Sequence, residues 1–157
     1  MKNEQGFSLV ELLIVVAIIA IIAAIAVPSL LTSRMAANEA GGIQGCRTVG
    51  SAEVAFAATN NQQYATLVEL VDGQFLDARY GTGFNGYTYA EGAVLNAPEP
   101  NTVATNGFAF VATPVEGMAR YSYGIGIDQV VRFLGVVGDA VAPKGLVAGD
   151  GIGTASK

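Results

Sequence analysis

Gly6-Phe7-Ser8-Leu9-Val10-Glu11 leads into an almost unbroken apolar run that ends at Leu31. A helix from Phe7 to Leu31 reaches roughly 37 Å at about 1.5 Å per residue, enough to span a hydrocarbon core of about 30 Å. Leu, Ile, Val and Ala cover every face of such a helix, which suits lipid or the company of similar helices. Glu11 is its one ionisable side chain. A carboxylate in hydrocarbon costs roughly 2.5–3.5 kcal/mol on insertion scales, less near a helix end, unless it finds a partner. The position alone allows two readings: a charge kept in water at the membrane interface, or a carboxylate that awaits a cation.

The short polar leader ending in Gly6, the aromatic Phe7, the acid Glu11 and the apolar helix carrying Pro28 together resemble the N-terminus of type IV pilins and the related pseudopilins. The resemblance implies that a prepilin peptidase cuts between Gly6 and Phe7, and that Phe7 becomes an N-methylated terminus. It also implies that Glu11 serves as the assembly carboxylate, and that the mature helices pack in the centre of a filament. The chemistry is coherent. Cleavage converts the Phe7 amide into an ammonium, which neutralises Glu11 on the same helix or on a neighbour. A neighbour's amine would also fix the axial stagger between subunits, a register role for a buried pair.

Two other readings of this end compete. Ala24-Ile25-Ala26 has the small residues of a secretory cleavage site before Val27, but the length of the apolar run and the acid within it argue against that. An uncleaved single-pass anchor is the other. Lys2 is offset by Glu4, and Arg34 lies beyond the far end, so flanking charge does not orient the helix. The resemblance places the leader in the cytoplasm.

The chain has 157 residues, net charge −5, 52% hydrophobic and 13% charged residues, and no histidine. Once the helix is set aside this suits one small globular domain. The acidic balance gives no electrostatic footprint for nucleic acid, so no direct nucleic-acid binding is expected. Without histidine, Ser/His/Asp and Cys/His arrangements are impossible, and no enzyme is expected. Cys46, alone in the chain, is expected to be a small buried side chain. Many pilins staple a C-terminal loop with a cysteine pair; here packing must hold the tail.

Pro28 is expected to kink or locally unwind the helix near Ala24. From Ser29 to about Asn60 the pattern turns amphipathic. Met35, Ile43, Cys46, Gly50, Val54 and Ala57 fall near one face, with Arg34, Glu39, Arg47 and Glu53 mostly elsewhere. Gly41, Gly42 and Gly45 each cost about 1 kcal/mol in a helix interior relative to Ala, which permits close packing or flexure. A short helical stretch is expected over 65–71, ended by Asp72-Gly73. Strands are expected over 86–91, 107–113, 120–125 and 129–134. The pairs Tyr87/Tyr89, Phe108/Phe110 and Tyr121/Tyr123 each point to one side of a strand. Gly124 to Asp128 forms a hairpin connection, and 136–157 an extended strap.

Gly81-Thr82-Gly83-Phe84-Asn85-Gly86 matches G-x-G-x-x-G but precedes a strand instead of opening a helix, so it is a loop. Asp128, Asp139 and Asp150 have no EF-hand spacing. No cofactor, metal or catalytic residue is expected. The predicted fold is α+β, pilin-like, a long N-terminal helix packed on a small four-stranded antiparallel sheet. Its divisions are a leader (1–6), an apolar half-helix (7–31), an amphipathic half-helix (32–63) and a head with a C-terminal strap (64–157). The expected function is that of a self-polymerising pilus subunit. It begins as an inner-membrane precursor, with the peptidase/N-methyltransferase and the assembly machinery as partners, and ends on the cell surface. Processing residues are Gly6 and Phe7; assembly residues are Glu11 and Pro28. The alternatives are a pseudopilin of a type II secretion system and a membrane-anchored binding module.

Overall fold

The computed structural model describes residues 6–98, 106–138 and 147–152. Helix α1 runs Leu9–Thr59, α2 Leu67–Asp72 and α3 Arg79–Thr82; strands β1 to β4 are Tyr87–Glu91, Ala109–Pro114, Tyr121–Gly126 and Val131–Val136. The chain divides into two compact units, Met1–Arg34 and Met35–Lys157.

In the first unit α1 carries its apolar side chains fully outward: Leu9, Leu13, Ile21, Ile25 and Leu30 are all more than half exposed. It belongs to the one helix, among the described residues, long and apolar enough to cross a membrane. The expected unwinding near Ala24 is absent, since helical structure continues through Pro28. One proline removes a single N–H from the ladder, and the bonds on either side persist.

In the second unit the strands form an antiparallel meander in the order β1-β2-β3-β4. Tyr89 pairs with Ala112, Val111 with Gly124 and Ile125 with Val131; a register shift sits between Ser122 and Tyr123. Each expected strand begins within two residues of its observed start, and of the aromatic pairs that mark three of them Tyr87, Tyr89, Phe108, Phe110 and Tyr123 are buried. The Tyr87 hydroxyl donates to the Tyr121 carbonyl at 2.7 Å, which satisfies a polar atom inside the core.

The buried face of α1 shares Cys46, Gly50 and Ala57 with the expected one, with Ile43 packed against the core, but it is wider and shifted. Glu39, Gly42, Cys46, Val49, Glu53 and Ala57 are buried, whereas Val54 is 52% exposed. Hydropathy scores neither Gly nor Glu as interior, and here both types occupy interior positions. Glycine lets the sheet approach. A Cβ on Gly42 would lie 2.8 Å from the Tyr87 ring, and one on Gly50 would lie 2.7 Å from Ile125 Cδ1. On Gly45 it would collide with the Tyr89 hydroxyl and lie 2.5 Å from Cζ. The glycines therefore serve close packing.

This assigns a sign to Gly45→Ala. Were flexure their purpose, alanine would stabilise the helix by about 1 kcal/mol. Overpacking against Tyr89 instead costs about 1–3 kcal/mol and outweighs that gain. The expected result is a lower urea midpoint for Gly45→Ala, partly restored by adding Tyr89→Phe, which deletes the colliding hydroxyl.

The last described segment answers how the tail is held. Gly149 N–H donates to the Phe133 carbonyl (2.7 Å), Phe133 N–H to Asp150 (2.9 Å), and Ile152 N–H to Val131 (2.6 Å). Residues 149–152 thus lie antiparallel along the outer side of β4, with Ile152 packed on the core. The rest of the expected strap, including Asp139 and Pro143, lies outside the described residues.

Candidate functional site

Gly6, Phe7 and Ser8 precede the helix in non-helical backbone, and Phe7 is 76% exposed. Ser8 is the N-cap. Its carbonyl accepts the first helical bond from Leu12 N–H (3.2 Å), and its hydroxyl oxygen accepts from Val10 N–H (3.3 Å). Glu11, in the first turn, reaches back so that Oε2 accepts from Ser8 N–H at 2.8 Å. Side chain and backbone thus satisfy each other in a variant of the capping box in which the Ser8 oxygen takes the Val10 amide instead of that of Glu11, which answers the unpaired amides of a helix start. In the uncut chain Phe7 supplies no cation, and Glu11 uses its carboxylate on the helix end. Pro28 stands apart, inside the helix and near none of these residues. Ser8 was not among the residues singled out from the sequence. Ser-x-x-Glu before an apolar run is the signal that identifies it.

Two acids are buried in the head. Glu39, at the start of the packed part of α1, accepts from Arg120 backbone N–H (3.1 Å), Nε (2.8 Å) and Nη2 (2.9 Å). Glu53 is wholly buried; one oxygen accepts from Ala65 N–H at 3.0 Å, and the other has no partner among the described residues. Three successive amides at the start of α2 (Ala65, Thr66 and Leu67) are taken by Glu53, Glu69 and Glu91 respectively. Burial, aided by the neighbouring charges of Glu69 and Glu91, pushes the Glu53 carboxyl up to about 7.

The linkage has a definite sign. Because the folded pKa lies above the unfolded value of 4.5, Glu53 favours the fold fully below about pH 4.5. That contribution is lost as pH rises through about 7, and it amounts to about 3 kcal/mol. Glu69, Asp77 and Asp128 have lowered pKa values and act oppositely at acid pH, so the wild-type curve alone mixes the effects. Glu53→Gln isolates the contribution of Glu53. Its urea midpoint is expected to match wild type near pH 4.5 and to exceed it at pH 8.

Cys46 is buried, and its thiol is pushed up to about 12 by desolvation, which removes thiolate reactivity. Asp128 is paired with Arg132 through Oδ1 to Nη1 (2.9 Å) and Oδ2 to Nη2, and Asp150 Oδ2 accepts from Val147 N–H (2.7 Å). Among the described residues no group of three acids, cysteines or histidines is arranged to hold a metal ion. Gly81 and Thr82 end α3, and Gly83 to Gly86 form the tight turn into β1, with Phe84 paired to Tyr87. A one-turn helix interrupted by glycine gives no periodic signal, so α3 was not foreseen.

Comparison with known proteins bears on the N-terminal end. The model of the prokaryotic N-terminal methylation motif matches residues 1–27. A stretch of 39 residues, 25% of the chain, is 59% identical to the type IV wide pilus major component PilA4 of Thermus thermophilus. The match spans 30% of that relative's length. The chain thus carries a prepilin-type methylation motif on the long-helix and four-stranded antiparallel arrangement of the type IV pilin fold.

Proposed function

We propose that this chain is the structural subunit of a type IV pilus. It is made as a membrane-anchored precursor, cut between Gly6 and Phe7, methylated on Phe7 and polymerised through α1. The observation that carries this reading is the coincidence of the methylation motif with a helix whose apolar side chains, from Leu9 to Leu31, are exposed among the described residues. Each Leu, Ile or Val taken out of water contributes about 1.5–3 kcal/mol, so such a helix requires lipid first and copies of itself afterwards. Heterologous contacts that do not close then generate a helical polymer. A pilus is preferred to a secretion pseudopilus because the matched relative is a pilus component.

The test is intact mass with N-terminal sequencing of the protein from sheared surface material of its native host. The expected result is a chain that begins at methylated Phe7 in a sedimentable polymer. A terminus at Met1 confined to membranes, or at Val27 in a soluble species, overturns the reading.

A further inference from the structure

The structure assigns Ser8 and Glu11 a task before assembly: we propose that their capping box fixes the start of α1 two residues beyond the Gly6–Phe7 bond, keeping that bond in extended, exposed chain for the peptidase. The proposal rests on the pilus-subunit reading. Three observations converge. Gly6, Phe7 and Ser8 are non-helical and exposed. Ser8 oxygens accept from Val10 and Leu12. Glu11 Oε2 holds Ser8 N–H at 2.8 Å.

A peptidase must lay the scissile backbone out as an extended segment, and a peptide bond inside a helix is tied into i to i−4 hydrogen bonds. Apolar residues begin at Phe7, and no proline precedes it to stop the helix from growing toward the leader. What marks the boundary is the preference of Ser for the N-cap and the return bond from Glu11. Glu11 therefore has two duties that differ chemically. Capping requires an acceptor oxygen, which an amide also supplies. Neutralising an ammonium requires a negative charge.

Those requirements separate in an experiment on the full-length precursor. Wild type, Ser8→Ala, Ser8→Thr and Glu11→Gln are incubated with prepilin peptidase in proteoliposomes. Initial cleavage rates are read by mass, and amide exchange is followed over residues 7–12. Ser8→Ala is expected to be cut about five-fold more slowly, with slower exchange at Val10 as the helix grows past position 8 and bonds that amide to the Gly6 carbonyl. Ser8→Thr, which retains a capping hydroxyl, is expected to be cut near the wild-type rate. Glu11→Gln is expected to be cut near the wild-type rate yet to form no filaments. Wild-type cleavage of Ser8→Ala despite slowed exchange at Val10, or faster exchange at Val10 in that variant, overturns the proposal, as does a Ser8→Thr chain as slow as Ser8→Ala. A wild-type precursor that the peptidase leaves uncut removes the subunit reading and this proposal together. Cleavage of wild type with no Ser8 effect removes only this proposal.

Discussion

Cells that make Glu11→Ala in place of the wild-type chain are expected to accumulate processed subunit in the membrane and to shed no filaments. Removal of the carboxylate eases insertion by roughly 2.5–3.5 kcal/mol, so failure to enter the membrane cannot account for the loss. On the proposed assembly role, what is lost is the partner of the Phe7 ammonium in a low-dielectric core. An unpaired buried charge costs about 3–5 kcal/mol, which weakens each subunit addition by roughly a hundredfold or more. Cleavage still occurs, although more slowly, because the capping acceptor is gone as well. Sheared material examined by electron microscopy, with membrane fractions measured by mass, checks both halves. Wild-type filament numbers would leave Glu11 without an assembly role and would favour a simple anchor.

Arg120→Ala is expected to destabilise the head by about 3 kcal/mol, several times the effect of Glu39→Ala. The asymmetry comes from burial. The Glu39 side chain is 10% exposed and that of Arg120 is 38% exposed. Without the guanidinium the carboxylate stays inside with one backbone donor, the uncompensated case that breaking a buried pair creates. Without Glu39, the guanidinium turns to water and keeps its contact over the Tyr121 ring, 5.0 Å away. Were this an ordinary surface pair, both variants would lose only about 0.2–1 kcal/mol. Urea unfolding of the full chain in detergent, completed as a double-mutant cycle, distinguishes the cases. A large coupling with unequal single effects is the expected outcome.

The N-terminal element and the sheet were legible because each carries a strong one-dimensional pattern. An apolar run broken by one acid has few physical interpretations, and Tyr87/Tyr89, Phe108/Phe110 and Tyr121/Tyr123 mark strand faces by spacing alone. The packed face of α1 was legible only in part, at Cys46, Gly50 and Ala57. Its interior positions hold Gly42, Gly45, Glu39 and Glu53, and a glycine that admits a tyrosine ring looks in sequence like a helix breaker. A glutamate matched by Arg120, 81 residues away, looks like a solvated charge. Such positions become interior only through partners that the local sequence does not contain. Ser8 was the opposite case: its Ser-x-x-Glu signal lies wholly within the local sequence, at three-residue spacing.

The pairing of 149–152 with β4 bears on what these molecules avoid doing. A meander ends in two bare rims of unpaired N–H and C=O groups, and a bare rim is a template for another molecule's strand. Subunits held side by side in a membrane would meet rim to rim at high local concentration, and strand annealing would compete with ordered growth through the helices. Gly149, Asp150 and Ile152 occupy the β4 rim with the chain's own backbone. That segment is thus a guard of the β4 rim against strand annealing as well as a tether for the tail.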